Sequence, residues 1–110
     1  MRYKAALIAI LLAGPAFAHN APSGVQYLPE CCSQRDCAPV PDRMVHELGG
    51  GAYGVRVPPG SHPMWPADKG AALYVEFSGP QVKPPLDGEW HICLSPTGAP
   101  LCIHPPMRSF

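Results

Sequence analysis

The sequence predicts a small all-β domain of antiparallel sheet and hairpins, with Pro/Gly-rich loops and disulfide staples. Three observations predict it. Past an export-type leader of 18 residues, 25 of the remaining 92 residues are Pro or Gly, about 27% against an ordinary total of about 12%. Apolar residues recur at period two in four runs, the pattern of half-buried strands. All five cysteines lie after the leader, where they can staple a chain too short to rely on its core alone. The Pro/Gly density rules out a helical bundle, a coiled coil and a multidomain enzyme.

The leader comes first. Arg2 and Lys4 are followed by an uncharged apolar stretch over 5–13, a break at Gly14-Pro15, and Ala16-Phe17-Ala18. This is the order of a cleavable secretory signal, with removal of residues 1–18. The apolar stretch is too short to span about 30 Å of hydrocarbon, and no later stretch replaces it, so no transmembrane anchor is expected after cleavage. Residues 19–110 then form one domain with His19 at its N-terminus. The short apolar region and the Ala-x-Ala site suggest bacterial export to the periplasm or the outside, where disulfides persist.

Between residues 19 and 110 the longest stretch free of Pro and Gly is 30–38. A typical helix needs about 10–14 residues. One short N-terminal helical turn at most is therefore expected, over 29–36, with Pro29 suited to its first position. Tyr53, Val55 and Val57 alternate with Gly54 and Arg56, and Leu73, Val75 and Phe77 with Tyr74 and Glu76. Trp90, Ile92 and Leu94 alternate with His91 and Cys93, and Leu101 and Ile103 with Cys102 and His104. Gly49-Gly50-Gly51 joins a weaker strand over 44–48 to the Tyr53 strand. Thr97-Gly98 is a tight turn between the last two strands. Segments 58–70 and 79–88 read as Pro-rich loops.

The disulfide candidates are Cys31, Cys32, Cys37, Cys93 and Cys102. One must be left over, and the five can pair in 15 ways. No Cys-x-x-Cys is present, which disfavours a thioredoxin-like centre and the usual zinc ribbons. A turn at Thr97-Gly98 sets Cys93 opposite Cys102 and His91 opposite His104. All four then lie on the face opposite Trp90, Ile92, Leu94, Leu101 and Ile103. The expected bridge is Cys93–Cys102, which closes a short loop worth about 2.7 kcal/mol in the chain-entropy model. If both sulfurs turn instead toward the first cysteine cluster, long-range bridges worth about 4.3 kcal/mol replace it. Reduced cysteines would complete a Cys₂His₂ zinc set with His91 and His104.

The run Tyr27-Leu28-Pro29-Glu30-Cys31-Cys32-Ser33-Gln34-Arg35-Asp36-Cys37, with the later His91-Ile92-Cys93, resembles a group of small exported bacterial proteins. They share Tyr/Trp-x-Pro-x-x-Cys-Ser-x-x-Asp-Cys after the signal and a late His-x-Cys. The resemblance covers 15 to 20 positions and not the middle of the chain. It implies a small secreted domain and brings no activity with it.

Other chemistry is sparse. After the leader the charge is six Lys/Arg against eight Asp/Glu, scattered along the chain. That excludes a clustered nucleic-acid footprint and a basic membrane-surface helix. Met44-Val45-His46 and His62-Pro63-Met64 pair imidazole with thioether, a set that suits copper. Their simpler reading is as ordinary surface residues. His19 would offer an amine and a ring to copper once the leader is removed. Ser33, Ser61, Ser78 and Ser95 sit in no nucleophile motif. Arg35 and Asp36 read as turn and solubility residues. Tyr27, Trp65 and Trp90 read as core or half-buried covers; alternatively, Trp65 is an exposed anchor for a protein partner. The expected function is a non-catalytic, disulfide-stabilised binding or structural module with no cofactor. The alternative is a periplasmic copper- or zinc-binding protein using His19 or the His91/Cys93/Cys102/His104 face.

Overall fold

The computed structural model describes residues 21, 22, 24, 26–31 and 36–108. The leader, His19, Cys32 and half of the expected N-terminal turn, residues 32–35, lie outside the described residues. Six strands follow in chain order: β1 (Cys37–Val40), β2 (Val45–Gly49), β3 (Ala52–Val57), β4 (Leu73–Phe77), β5 (Trp90–Leu94) and β6 (Pro100–His104). They form two three-stranded antiparallel sheets, ordered β1-β5-β6 and β2-β3-β4. Strand β1 was not expected. It follows directly on the Cys-rich segment and includes Pro39, which an edge strand tolerates because one side of it needs no ladder donor.

The β2–β3 connection matches its sequence. Gly49 pairs with Ala52, leaving Gly50 and Gly51 as a two-residue loop with φ of 65° and 80°. Two successive positive φ values are what a primed hairpin turn requires, and glycine adopts them without a Cβ clash. Among the described residues, helix is confined to three single 3-10 turns, Asp42–Met44, Ala67–Lys69 and Gly79–Gln81. None falls on the described part of the expected N-terminal turn, where Cys31 N–H closes a turn onto Leu28 O at 3.0 Å. Two of the three follow a proline, Pro41 or Pro66, and the third contains Pro80. Fixed proline φ favours starting a turn.

The inner faces of the two sheets share one core. Val40, Met44, Val55, Val57, Val75, Phe77, Trp90, Ile92, Leu94 and Ile103 are its buried members. These are the residues that the period-two pattern assigns to inward faces, with Met44 and Val40 added. Trp90 stacks edge-on to Tyr53 at 5.1 Å, and its Nε1–H donates to Asp42 at 2.6 Å. Strand β5 is buried along its whole length. Its second face is covered by residues from 21–31, which build a second cluster of Ala21, Tyr27, Cys31, Cys37, Cys93 and Cys102.

One inward assignment fails. Leu101 packs on the cysteine cluster and not on the Trp90 core. The ladder pairs Cys93 with Cys102 but Leu94 with Pro100, so Leu101 is an extra residue in β6. A bulge of one residue reverses the alternation on its far side. The outer edge of β6 is closed by residues 82 and 83: Val82 bridges Ile103, and Lys83 N–H donates to Ile103 O at 2.8 Å.

Candidate functional site

The second face of β5 and β6 gathers most of the side chains that the sequence singled out. The hairpin register is the expected one, with His91 opposite His104 and Cys93 opposite Cys102. The expected Cys93–Cys102 bridge is absent. Cys31 is bonded to Cys102 and Cys37 to Cys93, at sequence separations of 71 and 56. The reason lies in the sheet. Strand β1 docks beside β5 with Cys37 directly opposite Cys93, and residue 31 lies over β6. Each hairpin sulfur therefore meets a partner from the N-terminal segment. With both cysteines oxidised, the Cys₂His₂ zinc reading fails for want of thiolates.

Above the bridges, His91 and His104 are completely buried. His91 Nε2 lies 2.7 Å from Asp87 Oδ1, and His91 Nδ1 lies 2.9 Å from Tyr27 Oη. An ionised carboxylate can only accept, so Nε2 carries a proton. In the neutral ring Nδ1 then accepts from the Tyr27 hydroxyl. The Tyr27 ring stands edge-on to His91 at 5.4 Å and tilted over His104 at 6.4 Å. His104 Nδ1–H donates to Pro84 O at 2.8 Å, while its Nε2 is buried without a hydrogen-bond partner. Burial pulls the His104 pKa below its ordinary value, against the pull of the Pro84 bond; the charges of His91 and Lys83 add to the lowering. His104 is thus held neutral, with one lone pair unused.

These contacts are inward and mutual. Among the described residues, no group of three or more His, Cys, Asp or Glu side chains is arranged to hold a metal ion. The copper set also comes apart. Met44 is core, His46 stacks on Tyr74 at 5.9 Å on the outer face of β2-β3-β4, and His62 is buried. His62 Nε2–H donates to Ile92 O at 3.0 Å, and its Nδ1 accepts Met64 N–H at 3.1 Å. Burial lowers its pKa, opposed by the Ile92 bond and the nearby Asp36. His19 lies outside the described residues.

Residues 60–67 frame a shallow open depression of about 440 Å³, lined by Gly60, Ser61, His62, Pro63, Pro66 and Ala67. Ser61 Oγ donates to Pro58 O at 2.6 Å. Both His62 nitrogens are committed to backbone, so Ser61 and His62 do not make a nucleophile–base pair. Trp65 is not an exposed anchor. It is half-buried, its Nε1–H donates to Ala71 O at 2.9 Å, and Lys69 sits 4.9 Å from its ring centre. Asp36 is not a surface residue either: it is 8% exposed, and its carbonyl accepts Leu94 N–H at 2.8 Å. Sequence reasoning missed Tyr27, Asp87 and His62 as polar partners. Each sits in an irregular segment, where no periodicity says which way a side chain points. Comparison of this chain with protein families, curated proteins and solved structures finds no match.

Proposed function

We propose that this chain is an exported, disulfide-stapled, non-catalytic binding or structural module of the bacterial periplasm or the cell exterior. The two long-range bridges carry this reading. Both join the segment around residues 31–37 to the C-terminal hairpin, and such bridges persist in oxidising compartments, not in a reducing cytosol. The leader-like residues 1–18 supply the route. The non-catalytic part rests on what the reactive side chains do. His62, His91 and Asp87 are hydrogen-bonded to neighbours, and the four described cysteines are oxidised.

The test is expression of the full chain in a bacterium, followed by fractionation and intact mass under non-reducing conditions. The expected product begins at His19, is found outside the cytoplasm, and is four hydrogens lighter than its reduced form, two per bridge. Full-length product retained in the cytosol with free thiols would reject the reading. The non-catalytic claim has its own check in a strain that depends on the protein. Loss of function in His91→Gln should track loss of folded protein. Full loss with an unchanged melting temperature would point to chemistry at His91 instead.

A further inference from the structure

The geometry points to a redox switch in the three-cysteine row of the β1-β5-β6 sheet, which can trade its long-range staples for a local one. Cys37, Cys93 and Cys102 lie side by side on three adjacent strands, with Cys37 opposite Cys93 and Cys93 opposite Cys102. All three belong to the same buried cluster, so they share one face of the sheet. Cys37 and Cys93 have Cα atoms 3.9 Å apart, and directly opposed residues such as Cys93 and Cys102 generally lie about 4.5–5.5 Å apart, within the span of a disulfide. Cys93 therefore has a bridging position on each side. In the oxidised protein it uses Cys37, because Cys102 is taken by Cys31.

The exchange needs one outside reagent, a dithiol reductant. It donates two electrons to the Cys31–Cys102 bond, which breaks to two thiols while the reagent closes to its own disulfide. Cys102, as thiolate, then attacks Sγ of Cys93. The Cys93–Cys102 bond forms as the Cys37–Cys93 bond breaks, and Cys37 leaves as thiolate and takes up the proton that Cys102 gave up. The second step moves no net electrons. Displacement at sulfur passes through a state with attacking and leaving sulfurs both on the central one. A row with Cys93 between Cys102 and Cys37 suits that step. A single two-electron reduction thereby undoes both staples. Afterwards every thiol, on Cys31, Cys32 and Cys37, lies on the N-terminal side. No covalent bond then holds residues 21–31 over the Tyr27–His91–His104 cluster. This inference rests on strand register and goes beyond the proposal of export, which can fail without affecting it.

Two measurements test it. The oxidised protein is treated with graded dithiothreitol, trapped with an alkylating reagent and mapped by mass spectrometry of non-reduced peptides. As the first bridge is lost, a Cys93–Cys102 linkage should appear together with alkylated Cys31, Cys32 and Cys37. Partly reduced protein that keeps only Cys37–Cys93 or only Cys31–Cys102, at every reductant level, overturns the proposal. The second uses a C31S/C32S variant, which leaves three cysteines and places a thiol on Cys102 with no reductant needed. Label should divide between Cys37 and Cys102. Label confined to Cys102 overturns the exchange. If this variant does not fold, the wild-type titration decides alone.

Discussion

Gly98 turns the β5–β6 hairpin at φ +87°, under the Trp65 ring. A Cβ there would lie 3.0 Å from Trp65 and 3.1 Å from Leu73, and the left-handed backbone alone costs an ordinary residue about 1–2 kcal/mol. Gly54 is the opposite case. Its backbone is extended, and the atoms in the way are the far ends of the His46 and Tyr74 side chains, with His46 Nε2 at 2.8 Å. Those ends can swing outward. Gly98→Ala should therefore lower the melting temperature by several degrees more than Gly54→Ala in parallel thermal melts. Equal losses would show that the turn is not strained by a side chain. His104 sets a pH dependence. The unfolded ring titrates near 6.5, whereas burial holds the folded ring lower. Between those values the unfolded chain binds more protons, so stability falls as pH drops below about 6.5 and levels off below the folded value. His62, lowered likewise, acts with the same sign. His104→Asn keeps a donor for Pro84 O without a titrating ring. Its melting temperature should depend less on pH between 5 and 7.5 than the wild type's, and identical slopes would rule His104 out as a source.

Strand β6 is protected on its outer edge by one backbone hydrogen bond and one bridge, Lys83 N–H to Ile103 O and Val82 to Ile103. The Lys83 ammonium also reaches Glu30 at 2.9 Å, an exposed pair. These two roles separate by substitution. Lys83→Pro removes the backbone donor and leaves the buried Ile103 carbonyl unpaired, a cost of roughly 1–3 kcal/mol. Lys83→Ala keeps the donor and loses only the ion pair, so its chemical denaturation midpoint should stay close to wild type. A Lys83→Ala midpoint as low as that of Lys83→Pro would mean that the ion pair, not the edge bond, holds this segment. The element scale also explains why β5 carries so much of the fold. It pairs on both sides and is covered on both faces, so its five residues belong to the core and to the cysteine cluster at once.

At the scale of the whole molecule, the bridges close loops spanning 71 and 56 residues in sequence. The chain-entropy model gives each about 4 kcal/mol, beside a total of about 5 kcal/mol for a domain this small. Removing both should leave too little to hold the two sheets together. In excess reductant, circular dichroism should show no cooperative thermal transition near that of the oxidised protein. An unchanged transition with every thiol shown free would mean that the apolar core suffices alone.

Much of this architecture is legible one residue at a time. Alternation at Tyr53–Val57, Leu73–Phe77 and Trp90–Leu94 marks strands and their inward faces because the side-chain period of a strand is two. The Gly-Gly loop sets the β2–β3 register; in the last hairpin the loop is Pro96-Thr97-Gly98, with Leu94 opposite Pro100, and the Leu101 bulge brings His91 opposite His104 and Cys93 opposite Cys102. All of this is local information, carried within a few residues. The bridge partners are not local. Cys93 is equally placed for Cys102 and Cys37, and only the docking of β1 beside β5, with residue 31 over β6, decides between them. The same holds for Leu101, turned over by a bulge, and for His62, Asp87 and Tyr27, whose partners lie across the fold from irregular segments. Five of the six strands and most of their inward faces follow from the chain's local pattern, because backbone geometry imposes these over short range, whereas β1 and the turned-over Leu101 do not. Tertiary structure alone decided the disulfides and the buried polar cluster, because each depends on which distant segment covers the outer face of β5 and β6.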